Sequence, residues 1–146
     1  IGPGIPGTAT PFGHSGIAQG QALNAAHSLG GAAIAALRLS FADERPRHVP
    51  VSHQTLTALG VVALRRSLVP VPVLDEPLGA AVSAALDRGG VCDRHDCRAI
   101  EVGPLPHCRG VEVRTMGRTF SDDPAFFMAS AAAGILAAAE CAPTRR

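Results

Sequence analysis

Residues 32–39, AAIAALRL, form a nearly continuous apolar run, and this run restricts the fold more than any other feature of the chain. Eight residues with almost no polar interruption fit a strand covered on both faces better than a surface element. The pattern just before it differs. Ala18, Ala22, Ala25 and Leu29 recur at helical spacing, giving one stripe of small side chains on a helix that starts at a Ser15 N-cap. Gly30-Gly31 then offers a C′ position where a positive φ is tolerated. A helix followed by a buried strand is the rhythm of a parallel α/β sheet.

Downstream the rhythm continues. Ser52 can cap a second helix carrying Leu56, Leu59 and Ala63. Val69-Pro70-Val71-Pro72-Val73 alternates like a strand, but two prolines remove two ladder donors, which assigns it to an edge or an extended connection. Pro77 fits the first turn of a third helix with Leu78, Ala81, Val82, Ala85 and Leu86 inward, closed by Gly89-Gly90. Short strands are expected at 99–102 and 111–115, and Asp123 caps a last helix with Pro124 in its first turn. Residues 1–146 thus read as one α/β domain: three layers, a mostly parallel sheet, and Ala-rich helices on both faces. The opening Gly2-Pro3-Gly4-Ile5-Pro6-Gly7 is loop chemistry with no strand ahead of it, so a domain truncated at its N-terminus is expected.

Composition narrows the partners. With no Trp, no Tyr and five Phe, burial rests on Ala, Leu, Val and Ile, which favours close backbone packing. A net charge of +1 and so few aromatic rings argue against nucleic acid. The most apolar stretch, 124–139, is short for a bilayer span of roughly 20 residues and mostly Ala. It reads as a buried helix, with no membrane partner. The start lacks signal-peptide character, so a cytoplasmic setting is expected, where cysteines stay free or bind metal. The Ala/Gly-rich helices could serve as a subunit interface in a homo-oligomer.

Several segments carry candidate chemistry. Gly2-x-Gly4-x-x-Gly7 has dinucleotide-loop spacing, with Asp43 or Glu44 past the buried strand, as a Rossmann-like nucleotide-binding domain would require. Pro3 and Pro6 lack the amides a pyrophosphate needs, and Pro11 delays the helix, so a looser anion loop using Gly4, Gly7, Thr8 and Thr10 fits better. Gly13-His14-Ser15-Gly16 is close to a nucleophile elbow, but Ile17 stands where its last glycine belongs. Ser15 is therefore read as a cap, with His14 free to face a cleft. The segment 43–53 is the richest, holding Asp43, Arg45, Arg47, His48, Ser52 and His53 just past the buried strand. That is the ligand side of an open α/β sheet. Arginines grip anions in bidentate fashion, and histidines exchange protons near neutral pH. The N-terminus of the second helix adds amide donors and disfavours protonation of His53. Arg118, ending the 111–115 strand, can reach the same strand ends or pair with Asp122 or Asp123. Cys92-x-x-His95-x-Cys97 with His107-Cys108 invites a zinc reading, but this spacing matches no standard knuckle, and no metal residue is assigned.

Gly-Pro-Gly-x-x-Gly-Thr-x-Thr before Gly-His-Ser-Gly, then Ala-Asp-x-Arg-Pro-Arg-His with Val-Ser-His, then Thr-Met-Gly-Arg and Asp-Pro-Ala-Phe-Phe, resembles the bacterial family called domain of unknown function 3866. The resemblance runs from Gly2 to Gly134 and implies the C-terminal half of that family, in keeping with the missing strand. It brings no activity and no cofactor with it. The function expected is an enzyme acting on a small phosphorylated or carboxylated metabolite. Arg45, Arg47 and Arg118 would hold the anion, and His48 or His53 would act as acid/base. A non-catalytic ligand-sensing or assembly module is the alternative. Convergence of the loops bearing Arg45, His53 and Arg118 separates the two.

Overall fold

The computed structural model describes residues 7, 8, 10–104 and 111–141. The chain is α/β, with five α-helices and a small parallel sheet among those residues. α1 spans Ala18–Ser28, α2 His53–Thr57, β1 Leu68–Pro72, α3 Leu78–Arg88, α4 Val91–Arg94, β2 Asp96–Ile100 and α5 Pro124–Cys141. β1 pairs with β2 in parallel, Leu68 opposite Asp96 and Pro72 opposite Ile100.

The prolines of β1 explain why the sheet is so small. Val73 N–H bonds Ile100 O at 3.0 Å, so odd-numbered residues of this stretch face β2. Leu68 faces the other way, donating to Ala33 O and accepting from Ala35 N–H, each at 2.9 Å. Pro70 and Pro72 share the parity of Leu68 and have no N–H to offer. The extended run 32–39 therefore touches β1 through a single parallel bridge, Ile34 to Leu68, and then leaves it. β1 is an edge strand of the two-stranded sheet, as its prolines suggested, and that run touches its far side only at Leu68. The run is not covered on both faces: Ala33, Ala35, Leu37 and Leu39 are buried while Ala36 is exposed.

The core forms from those odd-numbered residues with Val51, Leu59, Val69, Val82, Ala85, Leu86, Val91, Ala125 and Ala129. Its aromatic content is small: Phe127 is buried and Phe41 packs partly buried against the cluster. α5 lies against β1 and β2 through Ala125, Phe127, Ala129, Ala132 and Leu136. It is long and apolar enough to cross a membrane by length and composition, with mean hydropathy 1.5 and 28% of its residues buried. The expectation of a largely buried helix is corrected to one buried face.

α1 corrects the expected stripe. Ala18, Ala22 and Ala25 are exposed and Leu29 is 88% exposed. The helix is held instead by its buried Gly20 and by polar side chains. A methyl at Gly20 would lie 2.7 Å from the Val62 side chain and 2.9 Å from Ala58 O. Asn24 donates to Val62 O at 3.1 Å and accepts from Leu64 N–H at 2.8 Å. His27 bonds Ser67 Oγ at 3.0 Å. These contacts fall where α2 widens into a π-helical turn, Ala58–Val62, whose carbonyls need partners. The α1 start also differs: a 3-10 turn, Ser15–Ile17, precedes it, and Ser15 is exposed and caps nothing.

Cys92 and Cys97 are joined as a disulfide, against the expectation of free thiols. α4 ends within three residues of β2, placing the two Cα atoms 5.5 Å apart, inside bridging range. His95 between them is buried, accepting from Ser67 N–H at 3.2 Å and donating to Leu59 O at 2.8 Å. It is a structural pin between β1 and the π-turn. His107 and Cys108 lie outside the described residues.

Gly20→Ala is expected to destabilise the protein by about 1–3 kcal/mol, because overpacking against backbone outweighs the roughly 1 kcal/mol that alanine gains in a helix. Urea denaturation measures this. An unchanged or raised midpoint would show that α1 is not seated by that close approach.

Candidate functional site

The run 32–39 delivers its C-terminal end to a loop that returns on it. Ser40 N–H bonds Pro50 O and Ser52 N–H bonds Arg38 O, both at 3.0 Å, forming an antiparallel bridge between Leu39 and Val51. This bridge places 43–53 at the end of the buried run, where the sequence located it. Ser52 caps α2 as expected, accepting from Gln54 N–H at 3.3 Å.

Asp43 is the hub of the loop. Its side chain is 2% exposed, yet it carries three guanidinium groups. Arg45 grips both carboxylate oxygens at 2.9 and 3.0 Å, and Arg38 adds a bond of 3.0 Å. Arg118 stands 3.7 Å away and donates to Asp123 at 3.1 Å. The Arg45 bonds hold the Asp43 carboxyl well below the usual carboxylate range despite burial. Asp123 precedes α5, but the bonds of its carboxylate run to Ser40 Oγ at 2.6 Å, Phe41 N–H at 3.3 Å and Arg118. Asp123 therefore ties the last helix to the loop rather than capping it. The loops bearing Arg45, His53 and Arg118 do converge, through Asp43 and the 39–51 bridge.

Three histidines from different segments gather beside this hub. The His53 ring centroid is 5.2 Å from that of His14 and 5.3 Å from that of His48. His48 is buried. Arg47 Nε–H points to its Nε2 at 3.4 Å, so Nδ1 carries the proton and donates to Ser52 Oγ at 2.8 Å. Burial, then Arg38 and Arg45, push His48 down to about 4. Burial, then His14, Arg47 and Arg38, push His53 down as well. The neutral His53 expected from a helix dipole is found, but the cause is burial and neighbouring charge. α2 has only five α-helical residues with which to build a dipole. His14 is 6% exposed and neither ring nitrogen has a partner. Leaving such a nitrogen unsatisfied costs about 1–3 kcal/mol.

A groove of about 390 Å³ opens over this cluster, lined by Thr8, Thr10, Pro11, Arg47, His53 and Thr57. The wall carrying Thr8 and Thr10 is a small hairpin. Gly7 bridges His14, Thr8 N–H bonds Gly13 O, and the two threonine hydroxyls meet at 2.9 Å. On the far side Arg47 and His53 also line a depression of about 270 Å³ with Arg88. Arg47 is exposed and forms no ion pair among the described residues, unlike Arg45 and Arg118.

Of the residues singled out from sequence, Thr8, Thr10, Arg47 and His53 share the groove, with His14, His48 and Ser52 beside or beneath it. Gly7 closes the hairpin. Asp43, Arg45 and Arg118 form the buried hub instead. Ser15 stands apart, and Gly4 lies outside the described residues. Arg38 and Thr57 were missed. Arg38 interrupts an apolar run at an even, outward position, which is the one signal that could have marked it. Among the described residues no three His, Cys, Asp or Glu side chains are arranged to hold a metal ion.

The sequence profile of the family described as protein of unknown function (DUF3866) matches residues 1–134, and the chain belongs to that family. No curated protein and no solved structure matches the chain.

His48 gives the site a pH signature. The unfolded chain takes up its proton near the ordinary value of 6.5, the folded chain only near 4. Its contribution to stability is therefore complete above the first value and is lost as pH falls towards the second. The loss amounts to about 3 kcal/mol at most. His53 adds to it in the same direction. Denaturant titrations across this interval should show a steep loss in the parent and a shallower one in His48→Asn. Parallel curves would place His48 in a solvated environment.

Proposed function

We propose that this member of the DUF3866 family is an enzyme acting on a small phosphorylated or carboxylated metabolite bound in the groove over the histidine cluster. The observation that carries the reading is the contrast among its arginines. Arg45 and Arg118 are neutralised by Asp43 and Asp123, whereas Arg47 faces the groove without a carboxylate partner among the described residues. A guanidinium left open beside hydroxyl donors suits an anion. Arg47 would hold the anion, Thr8, Thr10 and Thr57 would orient it, and His53 would act as acid/base from its neutral form. His48 would be a positioning residue. It cannot reach a substrate from its buried place, but it links Arg47 to the Ser52 cap of α2.

Phosphate or sulfate should raise the melting temperature more than sodium chloride at matched ionic strength. Arg47→Ala should abolish that difference while keeping the parent's stability to within about 0.5 kcal/mol, as for other surface substitutions. Arg45→Ala should behave oppositely, destabilising the fold by about 1.5–3 kcal/mol by removing charge-assisted bonds from a buried carboxylate that keeps Arg38. Turnover of small phosphorylated or carboxylated metabolites should disappear in His53→Asn with binding retained. Equal effects of phosphate and chloride on the parent would defeat the reading.

A further inference from the structure

The groove over Arg47 and His53 has donors in excess, and one buried group near it has nothing to bond. Its wall offers a guanidinium, an imidazole and the Thr57 hydroxyl, with Thr8 and Thr10 hydroxyls that bond each other and Gly13 O, and no carboxylate among the lining residues. A carboxylate ligand carries one negative charge on two oxygens that lie in one plane. A phosphoryl dianion presents three terminal oxygens in a tetrahedron and twice the charge, which matches donors arriving from the hairpin, from the 43–53 loop and from α2.

His14 supplies the second, independent observation. It is more than nine-tenths buried, and both of its ring nitrogens lack partners. Buried polar groups are almost always bonded, and exceptions point to a water, an ion or a functional role. Its position is tied to the groove from two sides. Its backbone bridges Gly7 at the base of the hairpin carrying Thr8 and Thr10, and its ring stands edge-on to His53. Gly16 allows this placement, since a methyl there would lie 2.9 Å from His14 Nδ1.

We infer that the ligand group held in this groove is a phosphoryl dianion and that His14 belongs to its binding site, donating an N–H to a phosphoryl oxygen from beneath the hairpin. The inference rests on the anion reading of the groove and names its ligand class. A dication is disfavoured at the same place, because Arg38, Arg45 and Arg47 all bear on these imidazoles as positive charges. The groove is larger than inorganic phosphate needs, leaving room for the organic part of a small phosphate monoester.

Calorimetric titration with inorganic phosphate and with acetate, at neutral pH and matched ionic strength, tests this. Phosphate should bind at least about tenfold more tightly than acetate, and His14→Asn should weaken phosphate binding by about tenfold, or about 1.4 kcal/mol. If the variant fails to fold, the parent answers alone: the ring-nitrogen NMR resonances of His14 should move as phosphate is titrated in. Acetate binding as well as phosphate would overturn the phosphoryl assignment while leaving the anion reading intact. Resonances of His14 that ignore phosphate, or a folded His14→Asn with parental affinity, would remove His14 from the site. Binding of neither ion would overturn the anion reading itself.

Discussion

Two buried carboxylates hold this structure in place at the point where its function is proposed. Asp43 and Asp123 are both almost fully occluded, and they are joined through one guanidinium, that of Arg118. A buried charge is tolerated only when it is paired and fully bonded. Here the pairing draws on Arg38 in the extended run, Arg45 in the loop and Arg118 ahead of α5. Ser40 extends the network, accepting from Asp43 N–H at 3.0 Å while donating to Asp123. The extended run and its loop are thus fixed to the distant segment ahead of α5 by charge rather than by apolar bulk. In a core poor in aromatic rings, this network supplies directionality that Ala and Val contacts lack.

How much of this was legible from sequence follows from which forces are local. The helix signals near Ser52, Pro77 and Pro124 were readable because capping and proline geometry act within a few residues. The loop 43–53 was identified as the site region because polar residues cluster there after an apolar run. The α1 face was misread because an alanine stripe and a solvent face look alike when side chains are this small. What seats α1 is a glycine contact and carbonyl capping by Asn24, neither of which leaves a periodic trace. The edge position of β1 was legible because proline acts on the strand that carries it. Proline removes donors on one parity only, so a strand can keep a full ladder on one side while holding a single bridge on the other. The Cys92–Cys97 pairing was set aside on an argument about compartment, when the geometry between α4 and β2 was what decided it.

The arginines separate by the same physics. Arg45 is two residues from Asp43, a spacing that lets its guanidinium fold back onto both carboxylate oxygens. Arg47 follows Pro46 in a 3-10 turn, Pro46–His48, which turns its side chain away from Asp43 and toward the His48 ring. Two residues of the same type, in the same loop, have different surroundings because a proline stands between them. One neutralises a buried charge and is structural. The other, among the described residues, bonds a neutral imidazole, which accepts a hydrogen bond but cancels no charge.

That imidazole links the hub to the groove. His48 is kept from protonating by burial and by Arg38 and Arg45, the two arginines that hold Asp43. Were His48 to ionise, its Nε2 could no longer accept from Arg47, and a second positive charge would face that guanidinium. The Asp43 cluster thus supports the groove without touching it, since its net positive surroundings favour the neutral His48 that orients Arg47. The same surplus of positive charge acts on His53 at the groove wall, through Arg47 and Arg38. An anion entering the groove would relieve that repulsion and raise the proton affinity of His53. Binding of an anion there would therefore be coupled to proton uptake by the charges already in place.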